Sequence, residues 1–451
     1  MTARPRVAYV SPLPPQRSGI ADYSAELLPP LAALVDVDPV TGEGGDVGAT
    51  VQRSDVALYH LGNNRDFHAG IYRHLLAHPR NKPAVLVLHE YVLHHLVRDV
   101  TLHAGDAAGY VEAMRWCYGR TGEAMARRAV ATGVPLDPFR YPLFERAVDA
   151  AAAVIVHNRT TAARVLASRP QARLTVVPHH LALDALPATA PAEARARLGI
   201  PAGAFVVATF GFLTEAKRLP VLLRAFQRLR RETAAGAQAR LLLVGEVSPH
   251  YDFARLATVE LRGGVEVTGR LDLPRFLLHM AACDVAVNLR HPTAGETSGT
   301  FIRLLGLGKS VVVSRTGAFA EIPDGCCAKV DLDEDEEELL LATLAALAGD
   351  AELRRAMGEA ARRHVAAHTP EASAAAYAEV LRQAVAERWT AAPSPPPLAA
   401  YPPHDLFAEL VRATSAQLAG LGAGDDGEAL AAAAEAMVEL DLDAAGRKAG
   451  R

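Results

Sequence analysis

Residues 292–317 read PTAGETSGTFIRLLGLGKSVVVSRTG, a run of small residues that passes into a helix pattern and then into a strand pattern. Thr297, Ser298, Gly299 and Thr300 are short enough for a ligand to approach the backbone, and their N–H groups stand where a following helix leaves its first donors unpaired. Such a site attracts phosphate. Phe301, Ile302, Leu304 and Leu305 supply an apolar helical face, Gly306 and Gly308 end the helix, and 311–313 form a β-branched run typical of a buried parallel strand. The order of loop, helix, turn and strand predicts an α/β protein.

Outward from that stretch, short apolar strands alternate with helical segments, the rhythm of parallel sheets covered by helices. Strands are expected at 7–10, 56–60, 84–89, 153–157 and 174–177, and again at 205–210, 240–244, 265–268, 284–289 and 310–314. A long helical insert is expected between the third and fourth of these, at about 92–150. Two doubly wound halves, 1–185 and 186–390, place a cleft between the carboxyl ends of both sheets, where open α/β folds bind ligands. From residue 391 the composition shifts to APSPPPLAAYPP, a stiff linker over 391–403, and the apolar periodicity of 404–451 predicts an appended helical tail.

A chain of 451 residues, half of them hydrophobic, is long enough for about three domains. Net charge is only −4, and no basic, aromatic-studded stripe is present, so nothing draws the chain to nucleic acid. Cys117, Cys283, Cys326 and Cys327 have no metal-ligand spacing, and the adjacent pair is poorly placed to bridge itself; all four read as reduced thiols. The start runs from MTARPR straight into VAYV, without the apolar core of a signal peptide, and no apolar run reaches the roughly 18 residues of a membrane span. A soluble, cytoplasmic protein is expected, with peripheral membrane contact left open.

Three further motifs bear on the cleft. In 7–28, VAYVSPLPPQRSGIADYSAELL, a strand enters a Pro-rich loop and Gly19 stands where a helix begins. Gly19 either lets a ligand phosphate approach or merely supports a turn, and the dinucleotide fingerprint GxGxxG is absent. His89 ends the strand AVLVLH at the carboxyl edge of the first sheet, a position for binding and catalytic groups. The 89–95 run HEYVLHH spaces its histidines wrongly for zinc on one helical face, so no metal site is expected there. His94 and His95 read as helix surface or cleft lining, and His179 and His180 as hinge residues.

In 206–226, VVATFGFLTEAKRLPVLLRAF, Lys217 and Arg218 sit at a helix entrance, where cations oppose the helix dipole. An anionic ligand between them and the free N–H groups would account for that placement. Arg290, just before the 292–300 loop, adds a charge. The acidic run 331–338, DLDEDEEE, reads as stabilisation of a helix N-terminus rather than as a calcium site.

Taken together, SPLPPQRSGIADYS, FGFLTEAKR and NLRHPTAGETSGTFIRLLGLGKSVVVSRTGAFAEIP resemble the retaining GT-B glycosyltransferases of family 4, over roughly residues 5–385. The resemblance implies two Rossmann-like domains, an acceptor held by the first and a nucleoside diphosphate sugar by the second, and transfer with net retention. It implies no metal and no other cofactor, because helix N-termini and basic side chains neutralise the departing diphosphate. By position, Gly19, Lys217, Arg218, Arg290 and 297–300 would surround the diphosphate, His89 would face the reacting sugar, and Glu296 would contact its hydroxyls. Arg303 and Gly269 fall on the nucleotide side, and Asn63 and Asn64 on the acceptor side.

The chain departs from the family pattern in two places. Phe212 stands where a basic residue is usual, and Gly295 and Arg303 occupy the places of two glutamates, the second a ribose ligand. Arg303 then contacts the nucleotide in another way, or the donor is unusual. Epimerisation, phosphorolysis and a sugar-nucleotide binder without catalysis are the competing readings on the same fold.

Overall fold

The computed structural model describes residues 4–43, 46–249, 251–253 and 263–391. Both expected sheets are present, each with six parallel strands. The first runs β2-β1-β3-β4-β5-β6, from β1 (Arg6–Val10), β2 (Asp36–Val40), β3 (Val56–Leu61), β4 (Ala84–Leu88), β5 (Ala153–Val156) and β6 (Leu174–Val176). The second runs β12-β11-β10-β7-β8-β9, from β7 (Val206–Phe210), β8 (Arg240–Val244), β9 (Val265–Val267), β10 (Val285–Asn288), β11 (Ser310–Ser314) and β12 (Ala328–Val330).

Strand order reverses between β1 and β3 in the first sheet and between β7 and β10 in the second. Those switch points are where open α/β sheets leave a crevice. The loops that enter the crevice follow β1, β3, β7 and β10, and they carry Gly19, Asn63, Gly211 and the 292–300 segment.

Two strands go beyond the sequence reading. β2, DVDPV, and β12, AKV, are sheet edges, where one side needs no partner. Edge strands can be short, polar and interrupted by proline, so their periodicity is weak; Pro39 sits opposite Tyr9 on the outer strand.

Between β4 and β5 the insert forms as helices His94–Val100, Ala107–Thr132 and Glu145–Asp149. The final described helix, Pro370–Ala386, corrects the expected boundary at 390. Ala374, Tyr377, Ala378, Leu381 and Ala384 pack into the first sheet's core with Tyr9, Leu27 and Leu58, and the Tyr377 hydroxyl lies 2.8 Å from that of Tyr23. The chain therefore returns to the first domain after completing the second. The predicted linker and tail lie outside the described residues. Among the described residues no helix is long and apolar enough to cross a membrane. All four cysteines are buried free thiols.

Candidate functional site

The helix Gly299–Gly306, here called the cradle helix, forms as its sequence requires. Ser298 caps it by accepting from Phe301 N, and Phe301, Ile302, Leu304 and Leu305 are buried against the second sheet. Gly308, at φ +66, turns the chain into β11. Among the described residues the N–H groups of Gly299 and Thr300 find no acceptor, as expected of a first turn that faces a cleft.

That cleft has a volume of about 830 Å³, the scale of a ligand site. Its first-domain wall includes Gly19, Asp22, Glu26, Asn63, Asn64, His89 and Glu90, and its second-domain wall includes Gly211, Glu296, Thr297, Gly299, Thr300 and Arg303. A Cβ on Gly19 would meet nothing within 4 Å, so the glycine leaves open space there rather than relieving a crowded turn.

Lys217 is 5% exposed, and its Nζ donates to Phe210 O at 2.6 Å. A Cβ on Gly211, whose φ is +91, would lie 3.8 Å from that Nζ and 3.6 Å from Thr300 Oγ1, so lysine, glycine and cradle helix converge. Burial, reinforced by the Arg290 charge and opposed by Glu296, brings the Lys217 pKa down to about 7. An anion placed beside it would favour the charged form again.

Arg218 does not belong to this group. Its backbone is left-handed, at φ 55, and its guanidinium turns away to Glu336, with Nε 3.1 Å from Oε1. Glu336 is buried at the start of the helix Glu336–Gly349, and Glu337 and Glu338 pair with Arg224 and Arg228. The acidic run thus serves a helix N-terminus, as expected, and also binds it to the helix Leu219–Glu232.

Arg290 lies with Nε 3.1 Å from Glu296 Oε1, close enough for an ion pair but without hydrogen-bond alignment. The other Glu296 oxygen accepts from Ala294 N at 2.9 Å and Thr293 Oγ1 at 3.3 Å. The loop they belong to is tied to the first domain. Gly295 O accepts from Asn158 Nδ2 and Thr161 Oγ1, both at 2.8 Å, Ala294 O accepts from Tyr91 N at 2.8 Å, and Asn158 Nδ2 also reaches Thr297 Oγ1 at 3.1 Å.

His89 lines the cleft as expected, but both ring nitrogens have protein partners. His157 Nδ1 lies 3.0 Å from Val177 O, which can only accept, so the proton is on that nitrogen. In neutral rings the remaining bonds then run one way: His89 Nδ1 donates to His157 Nε2 at 3.2 Å, and His60 Nδ1 donates to His89 Nε2 at 3.0 Å. His60 Nε2 is left bare and buried without a partner. Burial holds the His60 and His89 pKa values well below the ordinary 6.5 and His157 near 4, so neutrality follows. What His89 offers a ligand in this arrangement is ring carbon.

Asn63 and Asn64 also line the cleft, each with its amide oxygen in use. Asn63 Oδ1 accepts from Leu96 N at 2.9 Å, and Asn64 Oδ1 caps the helix Arg65–Leu76 through Asp66 N at 2.8 Å. Gly269, at φ +68, only turns the chain toward Arg270, which does line the cleft. Contrary to the expectation of a helix surface or cleft-lining position, His94 is buried outside the cleft lining, with Nδ1 against Tyr141 O and Nε2 3.1 Å from Tyr110 OH.

Glu90 was not singled out by the sequence reading. Burial and the nearby Glu296 push its carboxyl up to about 7, against the opposing Asn63 N–H and Arg290. Its position directly after His89 was the only available signal. Glu26 was missed as well: it pairs across the cleft with Arg303, NH2 to Oε1 at 3.2 Å.

Residues 204–350 match the family model described as "Glycosyl transferases group 1". That match covers the strands, the Lys217 loop and the cradle helix of the second domain. The fold is that of GT-B glycosyltransferases. Sucrose-phosphate synthase from Thermosynechococcus elongatus superposes with a TM-score of 0.61 at 17% identity, over 85% of this chain and 100% of that one. HepE from Anabaena, in complex with UDP and glucose, gives 0.57 at 15% identity, over 84% and 100%. A glycosyltransferase from Rickettsia africae gives 0.55 at 11% identity, over 85% and 99%. No curated protein matches by sequence.

Proposed function

We propose that this chain transfers a glycosyl group from a nucleoside diphosphate sugar to an acceptor hydroxyl with retention of anomeric configuration. The observation that carries the proposal is the convergence of the buried Lys217 ammonium, Gly211 and the first turn of the cradle helix, inside the segment that matches group 1 glycosyl transferases. Lys217 and the N–H groups of 297–300 receive the diphosphate, with Gly19 leaving room for it. Glu296 receives sugar hydroxyls, His89 packs against the sugar, and Asn63 and Asn64 border the acceptor.

In the reaction the bond from the anomeric carbon to the phosphate oxygen breaks as the acceptor oxygen attacks from the same face. The acceptor proton passes to the departing phosphate oxygen. The charge that grows on the diphosphate is met by a preorganised ammonium and helix N–H groups, so the step needs no added metal. Lys217→Ala is expected to lower transfer about 100- to 1,000-fold, as removal of one preorganised donor does elsewhere.

HepE, a neighbour in fold, was crystallised with UDP and glucose, which makes UDP and UDP-glucose the first probes. Thermal unfolding should be followed with UDP, GDP, ADP and dTDP and their glucose forms, since a ligand at 100 times its Kd stabilises the folded state by about 2.7 kcal/mol. NMR of the products then reports the anomeric configuration. If no nucleoside diphosphate raises the unfolding temperature, the proposal fails; a new glycoside of inverted configuration would remove the retaining mechanism alone.

A further inference from the structure

We propose that Arg303 is a phosphate-binding arm of the cleft, and that the donor's diphosphate takes its guanidinium from Glu26. The inference rests on the nucleoside diphosphate reading above and assigns it a residue.

Arg303 is the fifth residue of the cradle helix. Helical side chains lean toward the N-terminus, so its guanidinium lies back over the first turn. A Cβ on Gly299 would stand 3.4 Å from its NH1 and 3.6 Å from His179 Nε2. His179 Nδ1 donates to His180 O at 2.8 Å, so in the neutral ring Nε2 carries the lone pair. A guanidinium beside the positive end of a helix is unfavourable unless an anion lies between them.

Glu26, from the helix Gly19–Leu34 across the cleft, now supplies that negative charge. One of its oxygens is 3.2 Å from Arg303 NH2, and the other accepts from Ala182 N at 3.1 Å. Glu26 cannot also serve the cradle-helix N–H groups, which find no acceptor among the described residues. A diphosphate can hold both, because it offers several oxygens to one planar fork and two backbone donors. Arg218, the arginine at the other helix entrance, turns away to Glu336.

Titration calorimetry with UDP, and competition by inorganic pyrophosphate at fixed ionic strength, tests the assignment on the full chain. Arg303→Gln should weaken UDP and pyrophosphate alike by tenfold or more, with Arg303→Lys, which keeps the charge but loses the fork, in between. Glu26→Gln should tighten both several-fold, because the competing carboxylate is gone. Unfolding of each variant without ligand checks that the fold persists, and Arg303→Lys remains informative if Arg303→Gln does not fold.

Loss of UDP affinity with pyrophosphate unchanged would assign Arg303 to ribose or base and overturn the proposal. UDP binding that ignores both the Arg303 and Glu26 substitutions overturns it too, while leaving the donor reading intact. A wild-type chain that binds no nucleoside diphosphate removes the donor reading itself.

Discussion

Lys217 joins the site's chemistry to a measurable proton. With a pKa near 7, it is about half charged at neutral pH in the folded protein. A diphosphate beside it favours the ammonium, so binding draws a proton from solution and weakens as pH rises above 7. Calorimetry of UDP binding in buffers of different ionisation enthalpy, between pH 6.5 and 8.5, should show net proton uptake; Lys217→Met should lose most of the uptake and most of the pH dependence. Equal uptake in the two proteins would move the effect to another group, with Glu90 the next to examine, since its carboxyl titrates in the same range. Gly295 makes a different demand. It sits at φ +81, and a Cβ there would run into the Tyr91 ring and come within 2.7 Å of Thr161 Oγ1. Gly295→Ala should therefore cost more than the roughly 1 kcal/mol of an ordinary left-handed substitution and should loosen the loop from the first domain, measured as a lower unfolding midpoint together with weaker UDP binding.

Among the elements, the cradle helix was the most legible in sequence, because cap, apolar face and terminal glycine agree on one structure over 298–308. Of the ten predicted strands, eight were legible as Val-, Leu- or Ile-rich runs largely buried by helices, and the short, mostly exposed edge strands β6 and β9 through their β-branched residues; all ends are found to within about two residues. β2 and β12 were not, since DVDPV is broken by a proline and two aspartates and AKV is three residues around a lysine. Side-chain pairings over long separations were not legible either. Arg218 beside Lys217 looked like a second phosphate ligand, and only the fold reveals Glu336 placed to take it, 118 residues away. That correction has a test. Glu336→Gln leaves Arg218 short of its partner and should destabilise the second domain by about 2 kcal/mol, the scale of a lost charge-assisted hydrogen bond. UDP affinity should stay unchanged. A substantial loss of UDP affinity in a folded Glu336→Gln protein would return Arg218 to the site.

At the scale of the whole molecule, the histidine network lies where the two halves are joined. His60 ends the first sheet with His89 and His157, and His179 and His180 follow β6 on the segment that crosses to the second domain. All five rings lie within 6.0 Å of the Tyr23 ring, and Tyr23 is bonded to Tyr377 of the returning helix. Burial depresses every one of these imidazoles, leaving His157 and His180 at about 4. In the unfolded chain the same groups take protons near pH 6.5. Between pH 6.5 and 4 the unfolded state binds more protons than the folded one, so stability present at neutral pH is lost as the pH falls, by about 1.4 kcal/mol per pH unit for each extra proton. Glu90, raised to about 7, works in the opposite direction over this range, and His68, His78 and His94, depressed to about 4, add to the loss, so the decline from pH 7 to 5.5 is that of the buried histidines together less one carboxyl. Urea unfolding at pH 7.5, 6.5 and 5.5 should show falling midpoints, and His157→Gln should flatten the decline, because it removes one titrating ring while keeping an amide donor for Val177 O. A decline unchanged by His157→Gln would mean that His157 is already able to hold a proton in the fold. The one-way chain of neutral imidazoles, and with it the assignment of both His89 nitrogens to protein partners, would then have to be abandoned.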